Sequence, residues 1–518
     1  MAMAKIIWVD DEIESLRSQQ LFLENKGYEV QTFTNGFDAI DYVKEHPVDV
    51  VLIDESMPGI TGLETLAKIK ELNRSLPVVL ITKNETENLM DDAIGSQISD
   101  YLIKPVNPNQ VLLSLKKIID NKRLVSEKTT SAYQQQFRHL FTALNSDPDH
   151  AEWRDIYKKL VYWELEMQRT DSPEMQEVLQ TQKSEANTEF FKFISRQYAD
   201  WIHNDKATNP IMSHNLIQRK VAPLLKKGTP LFFVLIDNLR FDQWKAIEPI
   251  VNQHFRLVEE DSFYSILPTA THYARNAIFS GLLPVEIAQK FPDFWKNDEE
   301  EGSKNLHEEE LLRAQLQRLG LGDLRVSYTK VLNNQSGLEL QHNIHNLLGN
   351  DLNVIVYNFV DMLSHARTEM EVLKELAGDE NSYRSVTASW FEHSPLFQAL
   401  KKIADKSFGL VLATDHGSVR VKTPCRVIGD RQTTTNLRYK HGRNLQYEPR
   451  EVLAFRDPRQ AGLPVPTINS SYIFARGDHF LCYPNNYNHY ANYYRNTFQH
   501  GGVSLEEMIV PVITLQSR

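Results

Sequence analysis

Along the first 121 residues, two patterns of apolar and polar positions alternate. Short apolar runs predict strands, and the stretches between them place apolar side chains at helical spacing. The order predicts a doubly wound, five-stranded parallel sheet whose ligand site lies beyond the carboxyl ends of the strands. The predicted strands are 6–9, 30–33, 50–53, 77–81 and 101–103, and the predicted helices are 14–26, 36–45, 63–72, a weak one after Glu85, and 108–121.

Helical spacing alone continues from residue 122 to about 208. It predicts a helical bundle that connects two other domains, because the breaks between its segments are short. No residue within the bundle points to chemistry. The predicted helices are 125–144, 151–169, 172–182 and 187–203.

A second alternating region runs from 209 to 518, beginning with a basic helical segment at 212–227. Apolar runs at 230–236, 354–358 and 408–414 predict buried strands that end beside acidic or histidine residues, and a fourth run lies at 508–515. We predict an α/β domain with lid-forming insertions at about 282–350 and 417–495. The chain as a whole is then an α/β multidomain protein with domains 1–121, 122–208 and 209–518.

Composition narrows the class of protein. A chain of 518 residues with 41% hydrophobic residues can build several cores, and its net charge of −11 argues against general coating of nucleic acid. Only Cys425 and Cys482 occur, which excludes a disulfide framework and a cysteine zinc finger. No apolar run approaches the length of a membrane span. We expect a cytoplasmic protein without membrane insertion.

Three carboxylates are predicted to converge at the strand ends of the first domain. Asp10 and Asp11 follow the first strand, and Asp54 ends the third. Thr82 ends the fourth strand and Lys104 follows the fifth. Such an oxygen-rich cluster suits Mg²⁺, and it makes Asp54 the candidate nucleophile towards a phosphoryl donor.

The first domain resembles the receiver domain of two-component response regulators. The motifs that carry this resemblance are V-D-D-E at 9–12, L-I-D-x-x-M-P-G at 52–59, Thr82, and Y-L-I-K-P at 101–105. The resemblance implies that Asp54 is phosphorylated with Mg²⁺ bound. It also implies that Tyr101 is an aromatic switch and that phosphorylation creates a dimer surface.

Acidic and histidine residues recur beside the strands of the last domain. An ionised Asp at such a place is costly unless it is paired or bound to metal. The ligand types suit two zinc ions, which can clamp the attacking and leaving oxygens of a phosphoryl displacement. The candidate ligands are Asp237, Asp361, His365, Asp415, His416 and His500.

Two hydroxyls lie on the turn between an extended segment and a helix, at Thr269 and Thr271. The first turn of a helix offers unpaired N–H groups to an anion, although Pro-Thr-x-Thr can also simply open and cap the helix. Position alone leaves both threonines open as a nucleophile.

The last domain resembles the alkaline phosphatase superfamily, in its PglZ branch. The pattern consists of Asp237, Pro-Thr-x-Thr, Asp361-x-x-x-His365, Asp415-His416-Gly417 and His500-Gly501-Gly502. The resemblance implies one zinc on Asp237, Asp415 and His416, and a second zinc on the remaining three candidate ligands. It also implies that Thr271 is the nucleophile and forms a phosphothreonine intermediate.

Several residues are candidates for holding the substrate. Phosphodiesterases of this superfamily often carry Asn shortly after the nucleophile, and His272, Arg275 and Asn276 are the nearby candidates here. The basic segment 420–443 includes Arg420, Arg438 and Lys440, which can meet a phosphate backbone. The tyrosines of 483–494 can stack on bases. The alternatives are a solvated loop and an aromatic core edge.

The order of receiver, helical connector and PglZ domain resembles the response regulators of type IX secretion. That resemblance implies a PorY-type histidine kinase as phosphoryl donor, a homodimer on phosphorylation, and hydrolysis of cyclic or linear oligonucleotides. Two alternatives stay open. One is an interaction regulator that binds a sigma factor or a secretion component and keeps the metal domain as a scaffold. The other is a phosphomonoesterase of the same superfamily.

Overall fold

A computed structural model describes residues 4–73, 76–83, 98–168, 173–204, 206–363, 378–430 and 434–517, with the backbone alone for 120–128, 130, 131 and 173. Two compact units are present. The smaller contains the described residues up to Gln134, and the larger contains Gln135–Gln168 and the described residues after it. The predicted helix after Glu85 lies outside the described residues.

The smaller unit contains a parallel sheet of five strands in the order β2-β1-β3-β4-β5, which confirms the predicted fold. Its two central strands are buried along their whole length, because helices cover both faces of the sheet. The strands are β1 (Lys5–Val9), β2 (Glu29–Phe33), β3 (Val50–Asp54), β4 (Val78–Thr82) and β5 (Asp100–Ile103), and the helices are α1 (Arg17–Asn25), α2 (Gly36–Glu45) and α3 (Gly62–Leu72).

Three long helices follow, α4 (Pro108–Leu144), α5 (His150–Gln168) and α6 (Pro173–His203). The predicted breaks at 122–124 and 183–186 do not occur. Neither stretch contains Gly or Pro, so the helix continues through both. In the second stretch Ala186 is fully buried and Lys183 forms buried ion pairs, which anchors that part of α6 to the larger unit.

The larger unit is built on a mixed sheet in the order β7-β18-β10-β6-β9-β8. Its inner strands are apolar and buried on both faces, and β18 runs antiparallel to its neighbours β10 and β7. All four predicted strands of this domain are present. The six strands are β6 (Leu231–Ile236), β7 (Phe255–Tyr264), β8 (Val326–Val331), β9 (Leu352–Tyr357), β10 (Gly409–Ala413) and β18 (Ile509–Ser517).

Helices pack around this sheet. They are α7 (Ala222–Leu225), α8 (Phe241–Val251), α9 (Thr271–Ser280), α10 (Pro284–Lys290), α11 (Glu308–Arg318), α12 (Asn334–Asn343), α13 (Glu380–His393), α14 (Pro395–Ile403), α15 (Tyr487–Tyr494) and α16 (Leu505–Met508). Short 3₁₀ turns occur at Ile13–Leu16, Ser213–Asn215, Pro292–Phe294, Ile344–Gly349 and Pro458–Ala461, and a π turn at Ile217–Val221. The basic segment 212–227 is therefore a series of short turns and α7, not one helix.

The second predicted insertion contains small sheets. Strands β11 (Val419–Arg420) and β17 (Phe498–Gln499) pair antiparallel, β12 (Thr423–Arg426) pairs with β16 (His479–Cys482), and β15 lies between β13 and β14. These last three are β13 (Tyr439–Gly442), β14 (Val452–Phe455) and β15 (Ser471–Ala475). In the described part of the chain, no helix combines the length and the apolar character needed to cross a bilayer.

Candidate active site and phosphorylation site

A buried acidic cluster lies at the strand ends of the smaller unit. Lys104 Nζ is 2.8 Å from Asp10 Oδ2 and 2.9 Å from Asp54 Oδ2. Asp10, Asp54 and the exposed Asp11 offer carboxylate oxygens that all lie within 4.8 Å of one another. Thr82, at the end of β4, is 2% exposed. The sequence-predicted residues therefore meet at one edge of the sheet.

This cluster contains three acidic side chains and a single lysine, and its burial shifts the pKa values of Asp54 and Lys104. Burial raises the pKa of Asp54, and the hydrogen bond from Lys104 opposes that rise. Burial also disfavours the charged form of Lys104, but its hydrogen bonds to Asp10 and Asp54 raise its pKa overall. Three acids around one cation leave room for a further cation, which fits Mg²⁺. Tyr101, predicted as a switch, is 44% exposed on β5.

In the larger unit, Asp237 follows β6 and Asp415 follows β10. Asn238, a residue without a predicted role, connects Asp415 to Asp361. Asn238 has a left-handed backbone with φ of 63°. Its backbone N–H donates to Asp415 Oδ1 at 3.2 Å, and its side-chain amide donates to Asp361 Oδ1 at 3.5 Å. Asn tolerates this conformation better than most residues, but nothing in the local sequence marks its contacts to two distant acids.

Asp237, Asp415 and His416 form a group whose ligand atoms all lie within 4.8 Å of one another. Asp415 is fully buried, and its Oδ2 has no hydrogen bond within the described residues. Arg275 Nη1 and the imidazole Nε2 of His416 each lie 4.0 Å from that oxygen. Burial, and then the charge of Asp237, raise the pKa of Asp415 well above its usual range. Carboxylate oxygens and an imidazole nitrogen grouped in this way, with one buried oxygen left without a hydrogen bond, are suited to binding a divalent metal.

Thr271 begins α9 at this group. Its Oγ1 is 3.3 Å from Asp237 Oδ1 and 3.1 Å from His416 Nε2. Thr269 is fully buried and engaged elsewhere, because its hydroxyl donates to Gly502 O and accepts from Gly501 N, both at 3.0 Å. Thr271 alone of the two hydroxyls therefore faces the metal-ligand candidates.

A second group adjoins the first. His500 Nε2 is 3.6 Å from Asp361 Oδ1, and the ring of His500 stacks on that of His416 with centroids 4.3 Å apart. Gly501, with φ of 123°, allows the turn after His500 that only glycine adopts readily. The third predicted ligand of this group, His365, lies outside the described residues.

Arg275 and Asn276, which were predicted to hold a substrate oxygen, are both buried. Arg275 Nη1 donates to Asp237 Oδ2 at 2.8 Å, and its Nε donates to Glu308. Asn276 donates to Lys304 O and accepts from Asn305, which also donates to Thr271 O. Both side chains brace the helix that carries Thr271.

Two basic side chains of the segment 420–443 are folded into the interior. Arg438 is fully buried and forms a two-pronged ion pair with Glu507. Lys440 lies 4.3 Å from the ring of Tyr483, and burial lowers its pKa to about 7. Neither side chain is available at a surface, so their predicted substrate contact finds no support in this arrangement. Arg420, at the end of β11, lines a separate cavity.

The tyrosine-rich segment forms α15 and keeps part of its aromatic surface in solvent. Tyr490 is 41% exposed and Tyr493 is 40% exposed. The ring of His489 stacks on that of Tyr493 with centroids 6.2 Å apart, and Arg426 lies over the ring of Tyr487. The segment is thus a half-exposed aromatic face, with only Ala491 fully buried along the helix.

Comparison with known families agrees with this geometry. Residues 216–515, more than half of the chain, match the family described as the BREX system PglZ alkaline phosphatase-like domain. The chain therefore belongs to this family of alkaline-phosphatase-like domains. Residues 6–116 match the response regulator receiver domain, and 123–202 match the PorX response regulator linker domain. The three domains together are those of a PorX-type two-component response regulator with a PglZ domain, which confirms the predicted resemblance.

Several similar proteins each match about a quarter of the chain. The transcriptional regulatory protein ZraR of Klebsiella oxytoca is 35% identical over 132 residues, which is 26% of this chain and 30% of that protein. ResD of Bacillus subtilis is 31% identical over 115 residues, 22% of this chain and 48% of that protein. The chain thus spans less than half the length of these relatives. The chemotaxis protein CheY4 of Vibrio cholerae is 28% identical, with 23% of this chain and 99% of that chain covered at a TM-score of 0.22.

Proposed function

We propose that this response regulator is a metal-dependent phosphodiesterase whose activity is set by phosphorylation of its receiver domain. The observation that carries the proposal is the position of Thr271. Its hydroxyl lies within 3.3 Å of both Asp237 and His416, at the start of a helix, beside the unpaired oxygen of Asp415. A hydroxyl so placed, among metal ligands and free helix N–H groups, suits attack on phosphorus.

We assign the metal as zinc because the donors are imidazole nitrogens and carboxylate oxygens. Asp237, Asp415 and His416 would hold one ion, and Asp361, His365 and His500 a second. Zinc there would favour loss of the proton from Thr271 Oγ1 and would neutralise charge on the reacting phosphate. Metal binding would also offset the burial and the charge of Asp237 that together raise the pKa of Asp415.

The reaction then follows in two steps. Oγ1 of Thr271 forms a bond to phosphorus while the bond to one alcohol breaks, and that alcohol leaves with a proton. The remaining half of the diester stays on Thr271 as a substituted phosphothreonine. Water next attacks the same phosphorus, releases a phosphomonoester and restores the hydroxyl. Arg275 positions Asp237 throughout, since its guanidinium holds the carboxylate oxygen that does not contact Thr271.

An oligonucleotide is the substrate class that we propose. The support comes from α15, whose exposed tyrosines offer stacking surfaces to bases and which ends four residues before β17, directly ahead of His500. Changing Tyr490 and Tyr493 to Ala should raise KM for an oligonucleotide at least about tenfold and leave KM for a small aryl diester unchanged. Tyr162→Ala, on an exposed tyrosine of α5, is the control. Equal effects on both substrates would contradict the assignment.

Regulation is proposed to begin at Asp54. A histidine kinase of the PorY type would donate the phosphoryl group, and the face around Tyr101 would then form a homodimer in a cytoplasmic protein that controls type IX secretion. The support is the buried Asp10–Asp54–Lys104 cluster together with the exposed Tyr101 ring. Light scattering with and without beryllofluoride tests this part. An unchanged mass and an unchanged hydrolysis rate would contradict it.

A further inference from the structure

A polar cavity of about 290 Å³ lies within the larger unit, where α5 and α6 meet the strands around β11 and β16. Its volume is close to the lower end of small-ligand pockets, about 300 Å³. Among the described residues that line it, none is one of the six predicted zinc ligands, and Thr271 is not among them. The cavity is therefore a site separate from the proposed catalytic centre.

Part of the charge around this cavity is already neutralised. Lys183 Nζ lies 3.0 Å from both Glu164 Oε1 and Glu506 Oε1. Arg384 Nη1 lies 2.8 Å from Asp242 Oδ2. These groups form closed ion pairs, so they hold the helices together and leave little charge for a ligand.

Three other cationic side chains of the lining are different. In the part of the chain that the structure describes, the side chains of Arg420, Lys422 and Arg476 have no hydrogen bond and no ion pair within 4.0 Å. Two carboxylates of the lining, Asp379 and Asp478, act on Arg420 and Lys422 only through longer-range charge. The Nε atoms of Arg420 and Arg476 are buried and face no acceptor. A buried charged donor without an acceptor carries a desolvation cost that nothing offsets. An anionic ligand that reached both guanidinium groups would remove that cost.

We propose that this cavity binds a small phosphate-bearing ligand, with Arg420 and Arg476 holding the phosphate and Lys422 adding charge. Phosphate is the chemistry that fits, because guanidinium groups pair with its oxygens two at a time and several cations match its double charge. Side-chain amides on the connector helices, such as Gln180, line the same cavity and can donate to the rest of an organic phosphate.

A ligand in this cavity can act on the catalytic centre through the backbone of β11. Arg420 ends β11, which begins three residues after His416 and pairs with β17, directly before His500. A ligand that holds Arg420 therefore restrains the backbone between two metal-ligand candidates. The other side of the cavity belongs to the connector helices. The site is thus suited to an effector of the proposed enzyme, although the binding itself does not rest on that proposal.

The test is calorimetric titration of the full-length, zinc-loaded protein with inorganic phosphate and with phenylphosphonate, whose C–P bond resists hydrolysis. The Arg420→Ala/Arg476→Ala double variant should bind at least about tenfold more weakly at one class of sites, while Arg456→Ala, an exposed arginine outside the cavity, should match the wild type. Binding at the metal centre is common to all three proteins and cancels in the comparison. Identical isotherms for the double variant and the wild type would overturn the proposal.

A second double variant controls for the possibility that the first one fails to fold. Arg420→Lys/Arg476→Lys keeps the charge but loses the paired donors, so it should melt like the wild type and still bind phosphate more weakly. Full binding by this variant would overturn the role of the guanidinium groups. Phenylphosphonate binding as tight as phosphate identifies an organic phosphate, and binding of phosphate alone identifies the free ion. Thr271→Ala should keep the cavity's binding, which separates this proposal from the catalytic one.

Discussion

The hydroxyl of Thr269 bridges the backbone of Gly501 and Gly502, accepting from the first and donating to the second at 3.0 Å. The same loop carries His500, whose Nδ1 lies 3.2 Å from Thr269 O. Thr269 therefore joins the turn that carries the proposed nucleophile to the loop that carries a metal-ligand candidate. In the proposed reaction Thr269 is a positioning residue, and Thr271 is the residue that would contact the reacting atoms.

Thr269→Val tests this division of roles. The change leaves a buried N–H and a buried carbonyl unpaired and should lower the free energy of unfolding by about 1–3 kcal/mol in urea titration. The Thr271 hydroxyl remains, so kcat for an aryl phosphodiester should fall less than about tenfold. Thr181→Val, at an exposed helical position, is the control and should change stability by less than about 0.5 kcal/mol. Complete loss of turnover in a folded Thr269→Val protein would make Thr269 the nucleophile.

Arg275 is predicted to be essential for the fold around the active site. Its removal leaves Asp237 buried without its guanidinium partner and leaves Glu308 with Lys330 alone, so Arg275→Met should destabilise the protein by about 3–5 kcal/mol. Arg459→Met removes an exposed partner of Asp457 and should leave the free energy of unfolding almost unchanged. Chemical denaturation of both variants gives the comparison. Similar small losses would mean that the buried ion pairs do not hold this site.

Lys440 predicts a pH dependence of stability. Burial lowers its pKa to about 7 in the folded protein, whereas the unfolded chain has a pKa near 10.4. Between these values the unfolded chain binds more protons, so stability from this group rises with pH over about 7 to 10. Below pH 7 the folded state carries a buried charge at full cost. Lys440→Met should therefore be more stable than wild type near pH 6, by roughly 1–3 kcal/mol, and the difference should shrink towards pH 10.

Thermal or urea unfolding across that pH range measures the difference between the two proteins. The exposed Lys406→Met variant should show no such trend relative to the wild type. A constant difference between Lys440→Met and wild type from pH 6 to 10 would mean that Lys440 keeps its ordinary pKa in the fold.

Phosphorylation should depend on Asp54 alone among the acidic residues. After incubation with acetyl phosphate and Mg²⁺, intact-protein mass spectrometry should show one added phosphoryl group on the wild type and none on Asp54→Asn. Asp41→Asn, an exposed acid on α2 outside the cluster, should be phosphorylated as the wild type is. Lys104→Ala should weaken retention of the group, because the cation that contacts Asp54 is lost. Modification of Asp54→Asn would place the site elsewhere.

The sequence was most informative where a short apolar run had to become a buried strand. The strand ends at Asp54, Asp237 and Asp415 could be placed because parallel strands bring their carboxyl ends to one edge of the sheet. The same pattern could not show that the stretch after Gln182 continues one helix. An ion pair between Lys183 and Glu506 stabilises this part of the helix, and Glu506 lies more than three hundred residues away in the chain.

The basic segment shows why charge alone was a poor guide to exposure. A row of arginines after Asp415 reads as a solvated, substrate-facing loop, yet Arg438 is buried because Glu507 lies opposite. Such a pairing across 69 residues has no signature in local composition. Asn238 escaped notice for a similar reason, since its importance comes from a backbone conformation and from contacts to two distant acids.

Metal content and phosphodiester hydrolysis, measured together on the wild type and on Thr271→Ala, test the central claim most directly. We expect two zinc ions per chain in both proteins, turnover of a bis-aryl phosphodiester by the wild type, and a loss of at least about a thousandfold in kcat for the variant. Thr271→Ser should recover part of the activity, because it restores a hydroxyl at the same position. Hydrolysis by a zinc-loaded Thr271→Ala protein at the wild-type rate would contradict the account.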